Sequence, residues 1–388
     1  MRVFVPAETR PGERRVAMLP GVVSRLNGLD LEVAVESGAG AAAYATDDAY
    51  RDAGAEVVPV EEAVNALSDA DLVASVQPLN VTRAELIKSG SVLLSFLQPS
   101  SDVELIRVVA DRGASALSFD LIPRISRAQS MDALTSQALV TGYRATQTAA
   151  ELLPKFFPLF MTAAGTIPPA KVLVLGAGVA GLQAIATAKR LGAKVSAYDV
   201  RPSSADEVKS MGGTFITIDL DAVEGSGGYA REMSDDRAQR QQELLTPFIT
   251  ESDAVITTAA VPGRPAPQLV TQEMLAGMST GSVVVDLASE SGGNVEGSIA
   301  GEILDIGGVR VWGAQDVASS MPIHASQLYA MNVAAVVGLI TEEGQIKLDA
   351  ADEIVAGSAV VLNGEVHNVA ARETLGLPPL PQTQEDSA

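Results

Sequence analysis

The stretch that decides the fold is KVLVLGAGVAGLQAIATAKRLGAKVSAYDVR, residues 171–201. It begins with an apolar, β-branched run whose length is typical of a buried strand. Glycines at G-x-G-x-x-G spacing follow, then a segment with helical periodicity, and then a second apolar run at 194–198 that ends at Asp199. This order of strand, turn, helix and strand predicts a βαβ unit and therefore a parallel sheet.

The three glycines of this stretch each have a separate physical task. Gly176 permits a tight turn after the strand, Gly178 lets backbone N–H groups approach a pyrophosphate, and Gly181 lets the helix pack closely on the strand. The helix N-terminus adds a favourable position for negative charge. Because an acidic residue also follows 18 positions after Gly181, the fingerprint is complete and predicts a dinucleotide site.

The acidic residue that ends the second strand, Asp199, indicates which dinucleotide is bound. A carboxylate at this point accepts hydrogen bonds from the adenosine ribose hydroxyls and repels a 2′-phosphate, which favours NAD(H) over NADP(H). Arg201 leaves alternatives open, because an arginine here can contact a 2′-phosphate, lie against the adenine face or extend into solvent. We therefore expect NAD(H) as the cofactor.

Strand and helix patterns alternate along most of the chain. Its 388 residues exceed the size at which one hydrophobic core usually suffices, so two domains are expected. The pattern predicts an α/β protein of two doubly wound parallel-sheet, Rossmann-like domains joined by long helices. The long helical stretches, at about 132–160 and 326–340, look like paired crossovers, so the domains are predicted as residues 1–133 plus 327–388, and 134–326. Strands are predicted at 2–5, 31–35, 71–75, 91–95, 115–119, 171–175 and 194–198, and at the beginnings of 253–267 and 281–294.

Composition excludes several classes of protein. The net charge of −21 opposes binding to nucleic acid or to an anionic membrane, both of which require Lys and Arg patches. The absence of cysteine excludes disulfides, thiolate nucleophiles and Cys-ligated metals, and no metal site is predicted. The N-terminus lacks the apolar segment of a signal peptide, so a cytoplasmic protein is expected. With only two histidines, His324 and His367, groups for acid–base catalysis are scarce.

Six segments together resemble one known family. They are RISRAQSMDAL (124–134), GYRA (142–145), the stretch 156–202 that contains the glycine fingerprint, GGYAREMSD (227–235), TTAAVPGRPAPQLV (257–270) and GSVVVDLASESGGN (281–294). They resemble the NAD(H)-binding component, domain I of the alpha subunit, of proton-translocating (Si-specific/Re-specific) NAD(P) transhydrogenase, and the match covers nearly the whole chain. Alanine dehydrogenase is a relative with the same architecture. The resemblance implies hydride transfer between NAD(H) on this chain and NADP(H) on a partner domain, coupled to proton translocation.

The resemblance also implies which residues form the site. The polar loop within 123–137 is implied to hold the nicotinamide and its carboxamide, with Gln129 reaching toward the partner's nucleotide. Residues implied at this end are Arg124, Gln129, Ser130, Met131, Asp132 and Thr135; of these Arg124, Gln129, Asp132 and Thr135 are expected to serve catalysis, and the family has Ser at position 135. Residues implied along the rest of the nucleotide are Gly176, Gly178, Val179, Ala180 and Gly181 at the pyrophosphate, Asp199, Val200 and Arg201 at the adenosine end, and Gly228, Tyr229, Gln241 and Ala260 closing over it.

Such a loop is sufficient for this chemistry. Hydride transfer between two nicotinamides moves no proton at the reacting carbons, so the enzyme needs placement of the rings and exclusion of water rather than acid–base groups. The glycine-rich segment 224–236, which contains Tyr229, is interpreted either as a lid that closes on nucleotide or as a surface loop.

The same resemblance implies partners. Family members of this component are homodimers, and a separate membrane-spanning subunit conducts protons while an NADP(H)-binding domain (beta subunit) docks over the nicotinamide. The chain contains no membrane-spanning segment, so we expect the separately encoded, soluble form of the component. It is then expected in the cytoplasm, attached peripherally to the inner face of the cell membrane through its partners, with no nucleic acid bound.

Two alternatives remain open. The first is an amino-acid dehydrogenase of the alanine dehydrogenase type, whose substrate-binding Arg has a counterpart here in Arg15. Its substrate-side Lys and catalytic His correspond to Val76 and Gln98, which cannot shuttle the proton that keto-acid reduction requires. The second is a non-enzymatic NAD-binding module, in which the polar loop would have no task.

Overall fold

The computed structural model describes residues 1–100, 102–218, 235–260 and 265–380. The chain divides into two compact units. Unit 1 comprises Met1–Gln137 and Ser319–Ala388, and unit 2 comprises Ala138–Ala318. Among the described residues, every helix is too short or too polar to span a lipid bilayer.

Strands and helices are numbered here along the whole chain. The strands are β1 (Arg2–Val5), β2 (Glu32–Glu36), β3 (Glu56–Val58), β4 (Leu72–Ala74), β5 (Val92–Ser95), β6 (Ser115–Ser118), β7 (Phe160–Thr162), β8 (Gly165–Ile167), β9 (Lys171–Leu175), β10 (Lys194–Tyr198), β11 (Thr214–Phe215), β12 (Ala254–Thr257), β13 (Val283–Asp286), β14 (Ile303–Ile306), β15 (Val309–Gly313), β16 (Thr341–Glu342), β17 (Gln345–Ile346), β18 (Ala359–Leu362) and β19 (Glu365–Val366). The helices are α1 (Pro20–Asn27), α2 (Asp47–Asp52), α3 (Ala63–Asp69), α4 (Val81–Ala84), α5 (Val103–Asp111), α6 (Ala133–Leu152), α7 (Val179–Arg190), α8 (Ser204–Ser210), α9 (Asp235–Thr250), α10 (Gln272–Gly277), α11 (Pro322–Leu339), α12 (Glu353–Ser358) and α13 (Val369–Thr374).

Unit 1 is built on a sheet with the strand order β19-β18-β6-β5-β4-β1-β2-β3. β1 to β6 are parallel and follow the order 3-2-1-4-5-6 of doubly wound folds. Both faces of this sheet are covered. Val3 and Val5 belong to one apolar cluster and Phe4 to another on the opposite face, which is why the strand reads as a continuous apolar run.

Unit 2 repeats this topology with the order β11-β10-β9-β12-β13-β15-β14. Counted from β9, its parallel strands again run 3-2-1-4-5-6. The predicted fold class is therefore confirmed: both units are doubly wound α/β structures of the Rossmann type.

The edges of both sheets differ from a purely parallel prediction. In unit 1, β18 is antiparallel to β6 and to β19, and in unit 2, β14 is antiparallel to β15. The two hairpins turn through Asn363-Gly364 and Gly307-Gly308, all four residues having positive φ. Such residues favour two-residue hairpin turns, which join antiparallel neighbours without a crossover helix.

The predicted helical stretch at 132–160 is too long, because the helix α6 ends at Leu152. Proline at 154 and 158 cannot continue the helical hydrogen-bond ladder. The chain instead forms the β7–β8 hairpin, whose residues are all exposed. Its apolar side chains Phe160, Met161 and Ile167 are 43, 74 and 45% accessible to solvent.

Candidate functional site

The glycine fingerprint of unit 2 lies between β9 and α7. Gly176 has a left-handed φ of 102°, and its N–H donates to the Tyr198 carbonyl at 2.8 Å. A Cβ on Gly181 would come within 1.9 Å of the Gly176 carbonyl oxygen. Gly176 therefore needs glycine for its turn, and Gly181 needs glycine for close packing of helix on turn.

Gly178 differs from these two glycines because the protein itself does not require it. It is exposed, its φ is −75°, and an added Cβ would meet no atom within 4 Å. It is the N-cap residue of α7, whose first-turn N–H groups have no acceptors within the helix. The open space above Gly178 thus suits a phosphate approaching these donors and the positive end of the helix dipole.

Asp199, at the end of β10, is bonded to the fingerprint and to Arg201. One carboxylate oxygen accepts the Ala177 N–H at 2.7 Å, and the other accepts the Arg201 backbone N–H at 2.8 Å. The Arg201 guanidinium adds bonds of 2.9 and 3.1 Å to the same carboxylate. Of the alternatives for Arg201, the structure therefore shows a fourth, an ion pair with Asp199, and a ribose would have to share or displace it.

The other predicted nucleotide residues of unit 2 lie in different environments. Gln241 on α9 is buried and donates to the Tyr198 hydroxyl at 3.1 Å. Val200 is half-buried against the apolar cluster on that side of the sheet, and Ala260 is exposed after β12. Gly228 and Tyr229, and with them the predicted lid, lie outside the described residues.

Sequence reasoning missed two buried polar residues that build the loops after β12 and β13. Asn294 is fully buried; its side-chain amide donates to the carbonyls of Ala259 and Pro267 at 2.8 and 2.7 Å, and its oxygen accepts the Ala259 N–H at 3.0 Å. Asp286 is also fully buried and accepts bonds from the hydroxyls of Thr257 and Ser298 and from the backbone N–H groups of Ala288, Asn294 and Val295. These contacts fix the backbone beside Ala260. The tripeptide GGN at 292–294 was the available sequence signal.

The polar loop of unit 1 contains a 3-10 helix, Ser126–Met131. Residues three apart lie on the same face of such a helix. Accordingly Ala128 and Met131 are buried in the main apolar cluster, and Gln129 and Ser130 are exposed. Arg124, just before the helix, is exposed too. Gln129, Ser130 and Arg124 are thus available to a ligand, whereas the Met131 side chain serves the core.

Asp132 and Thr135 are paired with each other. Asp132 ends the 3-10 helix and precedes α6, and its carboxylate accepts the Thr135 N–H at 2.8 Å and the Thr135 hydroxyl at 2.6 Å. This is the geometry of a helix N-cap. Asp132 therefore has a structural task at the start of α6, alongside the role at the nicotinamide that the resemblance implies.

A second polar cluster in unit 1 surrounds Arg15. Its buried guanidinium donates to both oxygens of Glu13, at 2.8 and 2.6 Å, and to Gln137 at 2.9 Å. Gln77 joins the cluster through a 2.7 Å bond to Glu13, whereas Val76 is fully buried in the apolar core. Gln77, not Val76, is thus the residue whose side chain faces Arg15. Sequence reasoning missed Gln77, Glu13 and Gln137.

Two carboxylates in this cluster titrate in opposite directions. Burial raises the pKa of Glu8 to about 7, although its oxygens accept the backbone N–H groups of Val76 and Gln77. Burial also acts to raise the pKa of Glu13, but hydrogen bonds and charge from Arg15 outweigh it and lower the value to about 2. Arg15 is therefore already neutralised by a carboxylate of its own chain.

Gln98, the counterpart of the dehydrogenase histidine, is exposed and adopts a left-handed φ of 45°. Its backbone N–H donates to Asp120 at 3.0 Å. In the segment where the sequence departs from the resemblance, Asp316 is likewise left-handed, with a φ of 46°. Among the described residues, no three His, Asp or Glu side chains come together in a way that could hold a metal ion.

Comparison with known proteins gives the same family at every level. Residues 4–141 match the model of the alanine dehydrogenase/PNT N-terminal domain, and residues 145–369 match that of the C-terminal domain. A Rhodospirillum rubrum protein, the first of the chains that make up its NAD(P) transhydrogenase subunit alpha, is 45% identical over 378 residues, which is 94% of this chain and 97% of that protein.

Solved structures agree with these matches. The crystal structure of transhydrogenase from Sinorhizobium meliloti has a TM-score of 0.83 at 40% identity and covers 95% of this chain and 100% of that one. An L-alanine dehydrogenase has a TM-score of 0.76 at 23% identity, covers 97% of this chain and 99% of that one, and shows the shared fold. The resemblance noted in the sequence is confirmed, and the chain belongs to the alanine dehydrogenase/PNT family as an NAD(H)-binding transhydrogenase component of the alpha-subunit type.

Proposed function

We propose that this chain binds NAD(H) and exchanges a hydride with NADP(H) held by a partner domain, as the Si-specific/Re-specific, proton-translocating type of NAD(P) transhydrogenase. The observation that carries the proposal is the form of the polar loop in unit 1. Its 3-10 helix buries Ala128 and Met131 and leaves Gln129 and Ser130 exposed on a firmly anchored backbone. Such a surface suits placement of a ligand, which is what hydride transfer demands.

The dinucleotide, when bound, supplies the redox chemistry, and the residues of the chain supply position. In unit 2 we assign the pyrophosphate to the N-terminus of α7, at Gly178, Val179, Ala180 and Gly181, after the turn at Gly176. The adenosine end is assigned to Asp199, Val200 and Arg201, and Gln241 and Ala260 complete the nucleotide site together with Gly228 and Tyr229. The open space at Gly178 and the donors around it support this assignment.

In unit 1 we assign the nicotinamide and its carboxamide to Arg124, Gln129, Ser130, Met131, Asp132 and Thr135. Arg124 and Gln129 offer exposed donors, and Met131 would contribute through its backbone because its side chain is buried. The Asp132 carboxylate is oriented by two bonds from Thr135. A serine in place of Thr135 would keep both bonds, so the departure from the family at this position preserves the chemistry.

The partners are proposed in three parts. A beta subunit would hold NADP(H), a membrane-spanning subunit would conduct protons, and the chain would attach through them to the cytoplasmic face of the membrane. We also propose a homodimer, because the β7–β8 hairpin exposes Phe160, Met161 and Ile167 together, and an exposed apolar group of this kind typically marks an interface. A monomer in sedimentation equilibrium at micromolar concentration would refute the homodimer.

An amino-acid dehydrogenase of the alanine type is the alternative that needs exclusion. Arg15 is neutralised by Glu13, and the side chain facing this pair is Gln77, an amide that does not titrate. We therefore expect the pure chain to oxidise no NADH when pyruvate and ammonia are added together. Steady oxidation under these conditions would overturn the transhydrogenase proposal. A bare NAD-binding module would show no transfer with any partner.

The central test reconstitutes hydride transfer. The pure chain is expected to have no appreciable turnover alone and to reduce an NADP⁺ analogue with NADH once the NADP(H)-binding domain of the same organism is added. Gln129→Leu should bind NADH nearly as tightly as the unmodified chain, because the assigned pyrophosphate and ribose contacts are unchanged. It should transfer hydride on the order of 100-fold more slowly, the cost of an error near 1 Å in the reacting geometry.

The matched control is Gln345→Leu, the same change at an exposed position of β17 in unit 1. It should leave both binding and transfer unchanged. Transfer by Gln129→Leu at the rate of the control would remove the role given to the loop.

A further inference from the structure

One buried side chain outside the loop holds two points of its backbone path. Asn332 on α11 is 6% exposed. Its amide nitrogen donates to the Ser130 carbonyl at 2.8 Å, and its amide oxygen accepts the Ser136 hydroxyl at 2.7 Å. The segment between these two points contains Asp132 and Thr135.

The Ser130 carbonyl is the point at which this contact matters most. Ser130 follows Gln129 directly, so the orientation of its peptide groups sets the direction in which the Gln129 side chain leaves the backbone. The bond within the turn from the Asp132 N–H to the Gln129 carbonyl is long, at 3.5 Å. A long bond restrains a turn weakly. The shorter bond from Asn332 is therefore the firmer restraint at this end of the 3-10 helix.

The apolar anchors of the loop do not replace this restraint. Ala128 and Met131 lie in the core cluster that also contains Val333 of α11. Apolar packing is non-directional and fixes depth rather than the orientation of a peptide plane. A buried amide, in contrast, is retained only where its hydrogen bonds are made, and those bonds are directional. Asn332 makes one bond on each side of the Asp132–Thr135 pair.

We propose that Asn332 is a positioning residue for hydride transfer: it sets the orientation of the Gln129–Ser130 backbone and thereby the placement of the nicotinamide. The inference rests on the proposed function of the loop. Asn332 does not touch the nucleotide in this account, so its loss should change the rate of transfer and leave NADH affinity nearly unchanged.

The experiment uses the full chain mixed with the NADP(H)-binding domain and measures single-turnover hydride transfer per bound NADH. This rate constant is a property of folded, NADH-bound molecules, so partial unfolding lowers the amplitude and not the rate. Asn332→Leu removes both bonds at similar volume. Asn332→Asp keeps an acceptor for Ser136 but places an acceptor against the Ser130 carbonyl, so it breaks only the bond assigned to positioning.

Both variants should slow transfer by about tenfold or more, as a displacement of a fraction of an ångström to 1 Å would do, with NADH dissociation constants within about twofold of the unmodified chain. Ser136→Ala leaves the Ser130 bond in place and should slow transfer less. Asn368→Ala, which removes the N-cap of α13 in the same unit, controls for loss of stability and should leave the rate constant unchanged.

The outcomes separate the two proposals. If the unmodified chain transfers hydride and Asn332→Asp does so at the same rate, the positioning role is wrong while the function stands. If Asn332→Leu does not fold, Asn332→Asp and Ser136→Ala carry the test. If the unmodified chain transfers no hydride, the proposed function fails, and a positioning role for Asn332 fails with it.

Discussion

Gly142 on α6 and Ala180 on α7 are in direct backbone contact within unit 2. A Cβ on Gly142 would lie 2.0 Å from the Ala180 carbonyl oxygen, closer than any real contact. One turn later the Thr146 hydroxyl lies 3.2 Å from the Ala184 carbonyl. The first turns of α7, where the pyrophosphate is proposed to bind, are therefore held against α6 without intervening side chains.

Gly142→Ala is expected to destabilise the protein and weaken NADH binding together. The added methyl must push α7 away from α6, and overpacking of this kind typically costs about 1–3 kcal/mol. Denaturant unfolding and NADH titration measure the two effects. Gly21→Ala in α1 is the control: its Cβ would meet no atom within 4 Å, so it should raise stability by up to about 1 kcal/mol and leave NADH affinity alone. Equal behaviour of the two variants would contradict the contact.

Gly178→Ala should separate binding from stability. Because the space above Gly178 is open and its φ is ordinary, the unfolding free energy should stay within about 0.5 kcal/mol of the unmodified protein. NADH affinity should fall at least tenfold, since the methyl occupies the approach of the phosphate to the helix N-terminus. Gly181→Ala provides the contrast and should lose stability. Unchanged affinity in Gly178→Ala would place the pyrophosphate elsewhere.

The Asp199–Arg201 pair predicts the preference between the two dinucleotides. The unmodified chain should bind NADH much more tightly than NADPH, because the carboxylate repels a 2′-phosphate. Asp199→Asn should reduce that preference by freeing Arg201 for a phosphate. Arg201→Leu should bind NADPH no better than the unmodified chain, since the carboxylate remains. Comparable affinity of the unmodified chain for both nucleotides would instead make Arg201 a 2′-phosphate ligand.

The cluster around Arg15 predicts a pH dependence of stability. The folded pKa of Glu8, about 7, is above the ordinary glutamate value of 4.5, so the folded state binds more protons and the unfolding free energy falls as pH rises between 4.5 and 7, by up to about 3 kcal/mol. Glu13, with a pKa of about 2, acts in the opposite sense: its contribution is present above pH 4.5 and is lost as pH falls toward 2.

Glu8→Gln should remove the decline between pH 4.5 and 7, measured by chemical denaturation across that range. Glu373→Gln on the exposed face of α13 is the matched control and should keep the decline. A profile of Glu8→Gln parallel to that of the unmodified protein would mean that another group is responsible.

Local patterns were sufficient for the parts of the fold that depend on local chemistry. The predicted strands at 2–5, 171–175 and 194–198 coincide with β1, β9 and β10, because a strand buried on both faces is a continuous apolar run. The glycine fingerprint was legible for the same reason, since each glycine answers a local steric demand. Asn363-Gly364 and Gly307-Gly308 carry an equally local hairpin signal, which the prediction of purely parallel sheets overlooked.

Contacts between distant segments could not be obtained in this way. Nothing near Asn332 in the sequence indicates that its amide reaches Ser130, about 200 positions earlier. Val76 aligns with the dehydrogenase lysine in sequence, but the alternation of side chains along an extended segment puts neighbouring residues on opposite faces, and Gln77 is the one that reaches Glu13. The partner of Asp199 was likewise open until the direction of the Arg201 side chain was known.

The discontinuity of unit 1 affects the order in which a ribosome would complete the molecule. Unit 2 is one continuous segment, so it can fold as soon as it emerges, whereas β18, the antiparallel neighbour of β6, is made only afterwards. Until then the edge of β6 has unpaired backbone groups that could pair with a strand of another chain. The nascent chain therefore carries an unprotected sheet edge throughout synthesis of the entire second unit.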